Sequence, residues 1–412
     1  MILNFNKNSL FEKKLPEIIF YVALAMNFFV YFLNALIPIM VSGNNASIYT
    51  DFYGVFMKYA ENFVGDPDSL YDKISYGSSF EAYAFRNLPS LILYLLPFYF
   101  INSSNAFNLF SYSLFIFYFN LGNCYIIHKI TKTNYFKKLK TIHFIKNPKI
   151  LCAGYLFMTF HVLEYQFGQT HAIASFFCML GLYFMLVERE PLAFMAWSIS
   201  TIFKMNPIIW IFFLIFNKSW KKFLKNSIYA IIPQIPNLLM FLLFPRLLIN
   251  FFPSNLHFST NTAPLFLRVS GTFSRELSYL LNIEISALSI IFLAIFVPIT
   301  LIVLYLGKLE KIDRIMLSML ATIAILPDFW TAHVLYFAPI YLIWISNRSK
   351  WISWKIKIIP FLPTMLSTPW FIFPTISLFY FIPFLLILIV GVKTAEIHKI
   401  ISAFLLKKQI DQ

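Results

Sequence analysis

The sequence predicts an all-α polytopic membrane protein with about twelve transmembrane helices. Of its 412 residues, 59% are apolar and only 12% are charged, whereas a soluble domain carries about 25% charged residues. The apolar residues come in runs, several near the roughly 20 residues that a membrane-crossing helix needs. Basic residues gather in alternate loops between these runs. Soluble and disordered classes are therefore excluded.

The N-terminal elements define an outer region. The first apolar run, at about 18–41, follows a basic start and is too long for the core of a signal peptide, so we interpret it as a retained helix. A polar loop over 42–87 comes next. The apolar piece at 88–101, about 14 residues long, is marginal for a crossing, and we expect a re-entrant or juxtamembrane helix there. The outer region then extends over 42–104.

Further apolar runs predict the remaining spans. Two of them are separated by Lys204-Met205-Asn206-Pro207, where a charge and a proline predict a break between two short helices. The runs lie at about 105–128, 150–166, 172–187, 191–203, 206–217, 227–251, 285–306, 315–326, 334–346, 356–367 and 371–392.

The distribution of charge orients the chain. Segments assigned to the inside hold 26 of the 33 basic and 8 of the 18 acidic residues, a balance of +18 inside and −3 outside. Both termini are then cytoplasmic, and the net charge of +15 reflects insertion and predicts no nucleic-acid partner. The inside segments are 1–17, 129–149, 188–190, 218–225, 308–314, 347–357 and 393–412.

Four polar stretches lie on the outer face under this orientation, and polar groups near membrane depth are costly enough to suggest a function. They are the loop around Asp51, then 165–171, 204–207 and 327–333. Asp51 follows the first span closely, where its carboxylate could take a proton from an alcohol while a sugar stays attached to lipid. A loop-helix cap is the open alternative.

The other three stretches carry groups suited to a sugar phosphate. Gln169 and His171 could bind sugar hydroxyls or a phosphate, or could belong to a turn whose amides satisfy each other. Lys204 could pair with a lipid-linked phosphate beside the N-terminus of the next helix, or extend to the surface as an ordinary lysine. Asp328 and His333 close another outer turn, which could equally be an interfacial turn.

These stretches, in this order, resemble the GT-C glycosyltransferases, and most closely the polyprenol-phosphate-mannose-dependent mannosyltransferases related to the mycobacterial phosphatidylinositol-mannoside enzyme. The resemblance covers about residues 18–340. Asn87 and Ala332 depart from the family's pattern. The matching residues are Asp51, Tyr53, Gly65, Tyr71, Pro89, Gly168, Gln169, Lys204, Pro207, Pro327, Trp330 and His333.

The resemblance implies a GT-C-like bundle in which 1–340 is the catalytic module and 341–412 adds C-terminal helices and a basic cytoplasmic tail. It implies a multi-pass protein of the inner (plasma) membrane, if bacterial. This protein would transfer a hexose, expected to be mannose, from a polyprenyl-phosphate donor to a lipid- or glycan-linked acceptor at the outer face, with inversion. Asp51 would be the general base. The donor would be bound by Lys204, Arg86, Gln169, His171 and His333, with Tyr53, Glu164 and Asp328 as further candidates.

No bound cofactor is expected. The Asp-x-Asp spacing at Asp66 and Asp68 falls in a Gly-Pro turn that looks structural, so we expect no strict metal requirement. Three cysteines lie in or beside spans and are expected to be packing residues: Cys124, Cys152 and Cys178. Two other classes of protein stay open. A transporter or lipid-linked glycan flippase suits many spans with a broken helix. A glycan polymerase or ligase should carry a larger outer loop than 252–284.

Overall fold

A computed structural model describes residues 10–33, 37, 52–71, 87–101, 105–139, 146–216, 219–256, 277–278, 281–283, 285–325, 334–347, 353–358 and 376–395. Most of these residues are helical, with no strand among them, which confirms the all-α class. Three helices are long and apolar enough to cross a membrane: Lys14–Leu33, Asn108–Thr131 and Trp220–Leu243. The count of about twelve spans stays a prediction.

The helices are numbered here in chain order. They are α1 (Leu10–Ala25), α2 (Lys58–Gly65), α3 (Leu91–Phe100), α4 (Asn105–Thr131), α5 (Asn134–Lys138), α6 (Pro148–Leu156), α7 (Phe160–Phe167), α8 (His171–Leu186), α9 (Glu190–Phe203), α10 (Pro207–Ile215), α11 (Trp220–Ile231), α12 (Ile235–Leu243), α13 (Pro245–Leu256), α14 (Ile285–Leu306), α15 (Lys311–Ile325), α16 (Val334–Ser346), α17 (Trp354–Ile358) and α18 (Ile376–Thr394). A π-helical stretch, Met26–Leu33, continues α1, and another, Phe52–Met57, leads into α2.

Several predicted elements match these helices. The runs at 105–128, 172–187 and 285–306 correspond to α4, α8 and α14. The short apolar piece at 88–101 contains the ten-residue helix α3. The break around Lys204 is confirmed, because α9 ends at Phe203 and α10 begins at Pro207. The run at 356–367 lies mostly outside the described residues.

The prediction of one helix over 150–166 was wrong. The chain forms α6 and α7 there, with a break between Leu156 and Phe160. Side chains of the π-helical stretch after α1 satisfy the carbonyls that the break releases: Asn27 Nδ2 donates to Leu156 O at 3.3 Å, and the Tyr31 hydroxyl donates to Phe157 O at 3.2 Å. A buried carbonyl without such a partner would be costly, so these two contacts stabilise the break.

The run at 227–251 also differs from its prediction. The helix starts at Trp220 and so includes part of the basic segment assigned to the inside loop 218–225. The continuous apolar stretch ends at Leu243, after which Phe244, with φ of −128° and ψ of 80°, separates α12 from α13. Only 17% of the most apolar window of Trp220–Leu243 is buried within the protein, as expected for a helix that faces lipid.

Helix α8 lies at the centre of the described bundle, packed against α4, α9 and α16. Gly181 allows a close approach to α9, because a Cβ there would clash with the indole of Trp197. The indole of Trp197 donates to Cys178 O at 3.1 Å. Cys178, like Cys124 and Cys152, is a free, buried thiol, which confirms the packing role.

Away from residues 168–170, polar contacts join further segments of the chain. Lys149 Nζ lies 2.8 Å from Glu17 Oε1, and Lys311 Nζ donates to Met185 O at 3.2 Å. Trp344 Nε1 donates to Asp313 Oδ1 at 2.7 Å. The alternation of the helices across a membrane stays a prediction.

Candidate functional site

The turn 168–170 joins α7 to α8 and organises the candidate site. Gly168 ends α7 with φ of 64° and ψ of 43°, a left-handed conformation that favours glycine. The N–H of Gln169 donates to Glu164 O at 2.9 Å, which closes the turn. A Cβ on Gly168 would lie 2.5 Å from Cβ of Phe52, so the backbone of the turn and Phe52 pack in direct contact.

Glu164 holds this turn from inside the protein. Its side chain is fully buried, and its carboxylate accepts a hydrogen bond from the N–H of Ala172 in the first turn of α8. A helix N-terminus favours a negative group, so this contact fixes the start of α8. Glu164 was a candidate for binding the donor. Its contacts with protein groups lead us to assign it to supporting the turn.

His161 is the second buried partner of Glu164. Its Nδ1 lies 3.1 Å from Glu164 Oε2, and its Nε2 lies 3.1 Å from Tyr155 O. The same Nδ1 lies 3.4 Å from Asn120 Nδ2. The imidazole therefore joins Glu164 to the end of α6 and to α4.

Lys204 reaches the turn from the break between α9 and α10. Its backbone is extended, with φ of −148° and ψ of 123°, and its side chain is partly exposed. The ammonium donates to Gln169 Oε1 at 2.9 Å, and the hydroxyl of Thr170 donates to Phe203 O at 2.9 Å. Two stretches that the sequence marked separately are therefore in direct contact. Pro207 begins α10 beside them, and the N-terminus of a helix attracts anions.

His171 lies on the inner side of the turn. It is buried, and its ring stacks on Tyr336 with centroids 6.5 Å apart and an interplanar angle of 11°. Tyr336 also contacts the ring of Trp210 at 6.0 Å. The structure places the His171 ring in the buried packing behind the turn, and donor binding by His171 stays a prediction. The contact brings the start of α16, which directly follows the stretch 327–333, to the turn.

The segment after the first apolar run approaches the same turn through Phe52. This ring is buried and stacks on Tyr112 with centroids 4.5 Å apart. Farther along the loop, the hydroxyl of Tyr71 donates to Asn87 O at 2.8 Å, and burial raises the pKa of that phenol. Helix α3 follows and places Tyr94 against Phe203, the residue before Lys204, with centroids 5.0 Å apart.

Some predicted residues are not described. Asp51, Arg86, Asp328 and His333 lie outside the described residues, and so does the side chain of Tyr53. The expectation of no strict metal requirement stays a prediction. Where the structure is described, no three His, Cys, Asp or Glu side chains are grouped to hold a metal ion. Asp66 Oδ1 accepts from the N–H of Asp68 at 3.1 Å, a local turn contact that agrees with the structural reading of this pair.

Sequence reasoning missed the residues that hold the stretches together. Phe52, Phe203 and Tyr336 make the contacts, and each is one to three residues away from a polar residue that the sequence did identify. Aromatic residues make up 20% of the chain, so their type alone carries no signal. Gly168, directly before Gln169, is the feature of the sequence that could have indicated this turn, because a left-handed glycine often ends a helix.

Comparison of the chain with protein-family models, with curated proteins and with solved structures finds no match.

Proposed function

We propose that the chain is a membrane glycosyltransferase. It transfers a hexose, expected to be mannose, from a polyprenyl-phosphate donor to a lipid- or glycan-linked acceptor at the outer face. The proposal rests on one observation. Segments in or beside the polar stretches of the sequence contact one another at the turn 168–170. Phe52 contacts Gly168, Lys204 binds Gln169, and Tyr336 stacks on His171.

The convergence supports a single site because the contacts are independent. The outer loop, the α7–α8 turn, the α9–α10 break and the start of α16 are far apart in sequence, and each contains or adjoins polar residues that the sequence alone singles out. Asp51 precedes Phe52, and His333 lies three residues before Tyr336. A general base and a phosphate-binding cation on neighbouring segments are what direct glycosyl transfer requires.

The proposed reaction is a direct displacement. Asp51 takes the proton of the acceptor hydroxyl as that oxygen bonds to the anomeric carbon. The bond from the anomeric carbon to the phosphate oxygen breaks, and its electron pair leaves with the polyprenyl phosphate. Lys204 stabilises the charge that grows on this leaving group, with help from the N-terminus of α10. Phosphate leaves as a stable anion, so the second carboxylate typical of glycoside hydrolases is not needed.

The decisive variant is Asp51→Asn, assayed as purified protein with polyprenyl-phosphate mannose. Loss of a general base is expected to slow transfer by about 10²–10⁴-fold. Transfer at the wild-type rate would remove the general-base assignment. The matched control is Asp66→Asn, because an amide oxygen can still accept from Asp68 N–H, and this variant should keep full activity.

A radiolabelled donor tests the class itself. A transferase converts the labelled lipid into a new covalent product, whereas a flippase moves the unchanged lipid to the other leaflet. Labelled donor that changes sides in proteoliposomes without a new product would reject the enzyme in favour of the transporter class.

A further inference from the structure

A second candidate site lies at the far end of α4 from the turn 168–170. An open cavity of about 320 Å³ is formed where the end of α4, the short helix α5 and the start of α6 meet. Four of its lining residues are basic or ionisable as cations: His128, Lys132, Lys137 and Lys146. We propose that this basic cavity binds the phosphate of an anionic membrane lipid.

The first argument for phosphate binding is the charge of the residues that line the basic cavity. None of the lining residues is acidic. Lys132, Lys137 and Lys146 are exposed, and they form no ion pair with any carboxylate of the described part of the chain. The carboxylate of Glu17, on neighbouring α1, is bound by Lys149. A concave surface with several cations and no counter-charge attracts a multivalent anion such as a phosphate group.

The walls of the basic cavity are preformed. Thr133 caps α5, because its hydroxyl accepts from the N–H of Phe136 at 3.2 Å. Asn147 caps α6, and its side chain accepts from the N–H of Lys149 at 2.9 Å. Phe136 and Pro148 add apolar lining between the cations. A ligand with a phosphate and an adjoining apolar part fits this combination, since capped helix ends lose little freedom on binding.

The position of the basic cavity favours a lipid over a soluble phosphate. The apolar helix Asn108–Thr131 is 24 residues long and qualifies as a membrane span, and the cavity begins at its last residues. The end of a spanning helix lies at the level of the lipid head groups. Basic pockets at that level bind anionic head groups. The inference does not depend on the proposed transfer reaction.

The test compares two triple variants of the full-length protein. Lys132→Gln, Lys137→Gln and Lys146→Gln together remove the cations of the cavity. Lys221→Gln, Lys222→Gln and Lys225→Gln remove the same charge from α11, where the lysines are also exposed but line no described cavity. Retention of cardiolipin against phosphatidylcholine is measured by native mass spectrometry, with inorganic phosphate as a competitor.

We expect the cavity variant to retain cardiolipin on the order of a hundredfold more weakly, and the α11 variant to match the wild type. Equal losses in both variants would overturn the proposal, and so would displacement of the lipid by millimolar inorganic phosphate. Crosslinking of a photoreactive anionic lipid to the wild-type protein tests the position of lipid binding without any substitution. It should label the peptide 128–148, and labelling confined to 220–225 would overturn the proposal.

Discussion

Lys204 and Lys357 both donate to groups at the ends of helices, yet their surroundings differ. Lys204 is partly exposed, and the neutral amide of Gln169 accepts from it. Lys357 is fully buried, donates to Asn347 O at 2.9 Å and Trp344 O at 3.3 Å, and lies 4.4 Å from the centre of the Trp344 ring. The carboxylate of Asp313 accepts from the same indole and balances the charge.

The difference distinguishes Lys357, whose contacts are structural, from Lys204, for which we propose a phosphate-binding role. A buried ammonium with several fixed acceptors and a nearby carboxylate has lost its hydration, and removal of any partner leaves an uncompensated group. An ammonium at a partly exposed site beside a neutral amide keeps access to solvent and can approach an incoming anion. We therefore expect substitution of Lys357 to lower stability and substitution of Lys204 to lower activity.

The largest effect is expected for Lys357→Met. Removal of the buried ammonium takes a hydrogen-bond donor from Asn347 O and the compensating cation from Asp313, which should cost about 3–5 kcal/mol of folding free energy. Burial already raises the pKa of Asp313, and Lys357 opposes that rise. A carboxyl with a raised folded pKa loses stability as the pH climbs past its unfolded value, so the deficit should be greater at pH 8 than at pH 5.

Thermal unfolding in detergent at both pH values measures this loss. Lys355→Met is the matched control, because that neighbouring lysine on α17 is exposed and should leave the midpoint unchanged. A Lys357→Met protein as stable as the wild type would contradict the structural role. The folded fraction of the variant should keep the specific transfer activity of the wild type.

Lys204→Met should have the opposite effect, a large loss of activity with a small loss of stability. We expect kcat/KM for the polyprenyl-phosphate donor to fall by about 10²-fold, because one cation that stabilises a developing phosphate charge is lost. Stability should change by only about 1 kcal/mol, the usual net value of one hydrogen bond. Lys204→Arg keeps the charge and should recover part of the activity. Unchanged donor kinetics in Lys204→Met would contradict the phosphate role.

The helical class, and most helix positions, could be predicted from the sequence because apolar runs report directly on burial in lipid or protein. The break between α6 and α7 could not, because the run over 150–166 is continuous. That break depends on Asn27 and Tyr31, more than a hundred residues away, and a run of sequence contains no information about such partners.

The candidate site, too, could be predicted from the sequence only in part. Lys204 and Gln169 were both marked, because charged and amide groups near a membrane surface are rare enough to notice. Their mutual hydrogen bond was not predicted. Glu164 and His171 were marked for the same reason, and both are buried behind the turn. Donor binding by either residue stays a prediction. The residue type indicates that a polar group has a structural or functional role. Only the packing around it shows whether the group faces a ligand or the rest of the protein.

The smallest effect is expected for Gly168→Ala, which tests whether the outer loop must contact the turn. A Cβ at φ of 64° should cost about 1–2 kcal/mol, and contact with Cβ of Phe52 should displace the residue that follows Asp51. Transfer should therefore fall even where the protein stays folded. Gly154→Ala is the control, since its Cβ would meet Leu342 at an ordinary 3.4 Å and should leave transfer unchanged. Full transfer by folded Gly168→Ala protein would show that the contact between Phe52 and the turn does not position the proposed base.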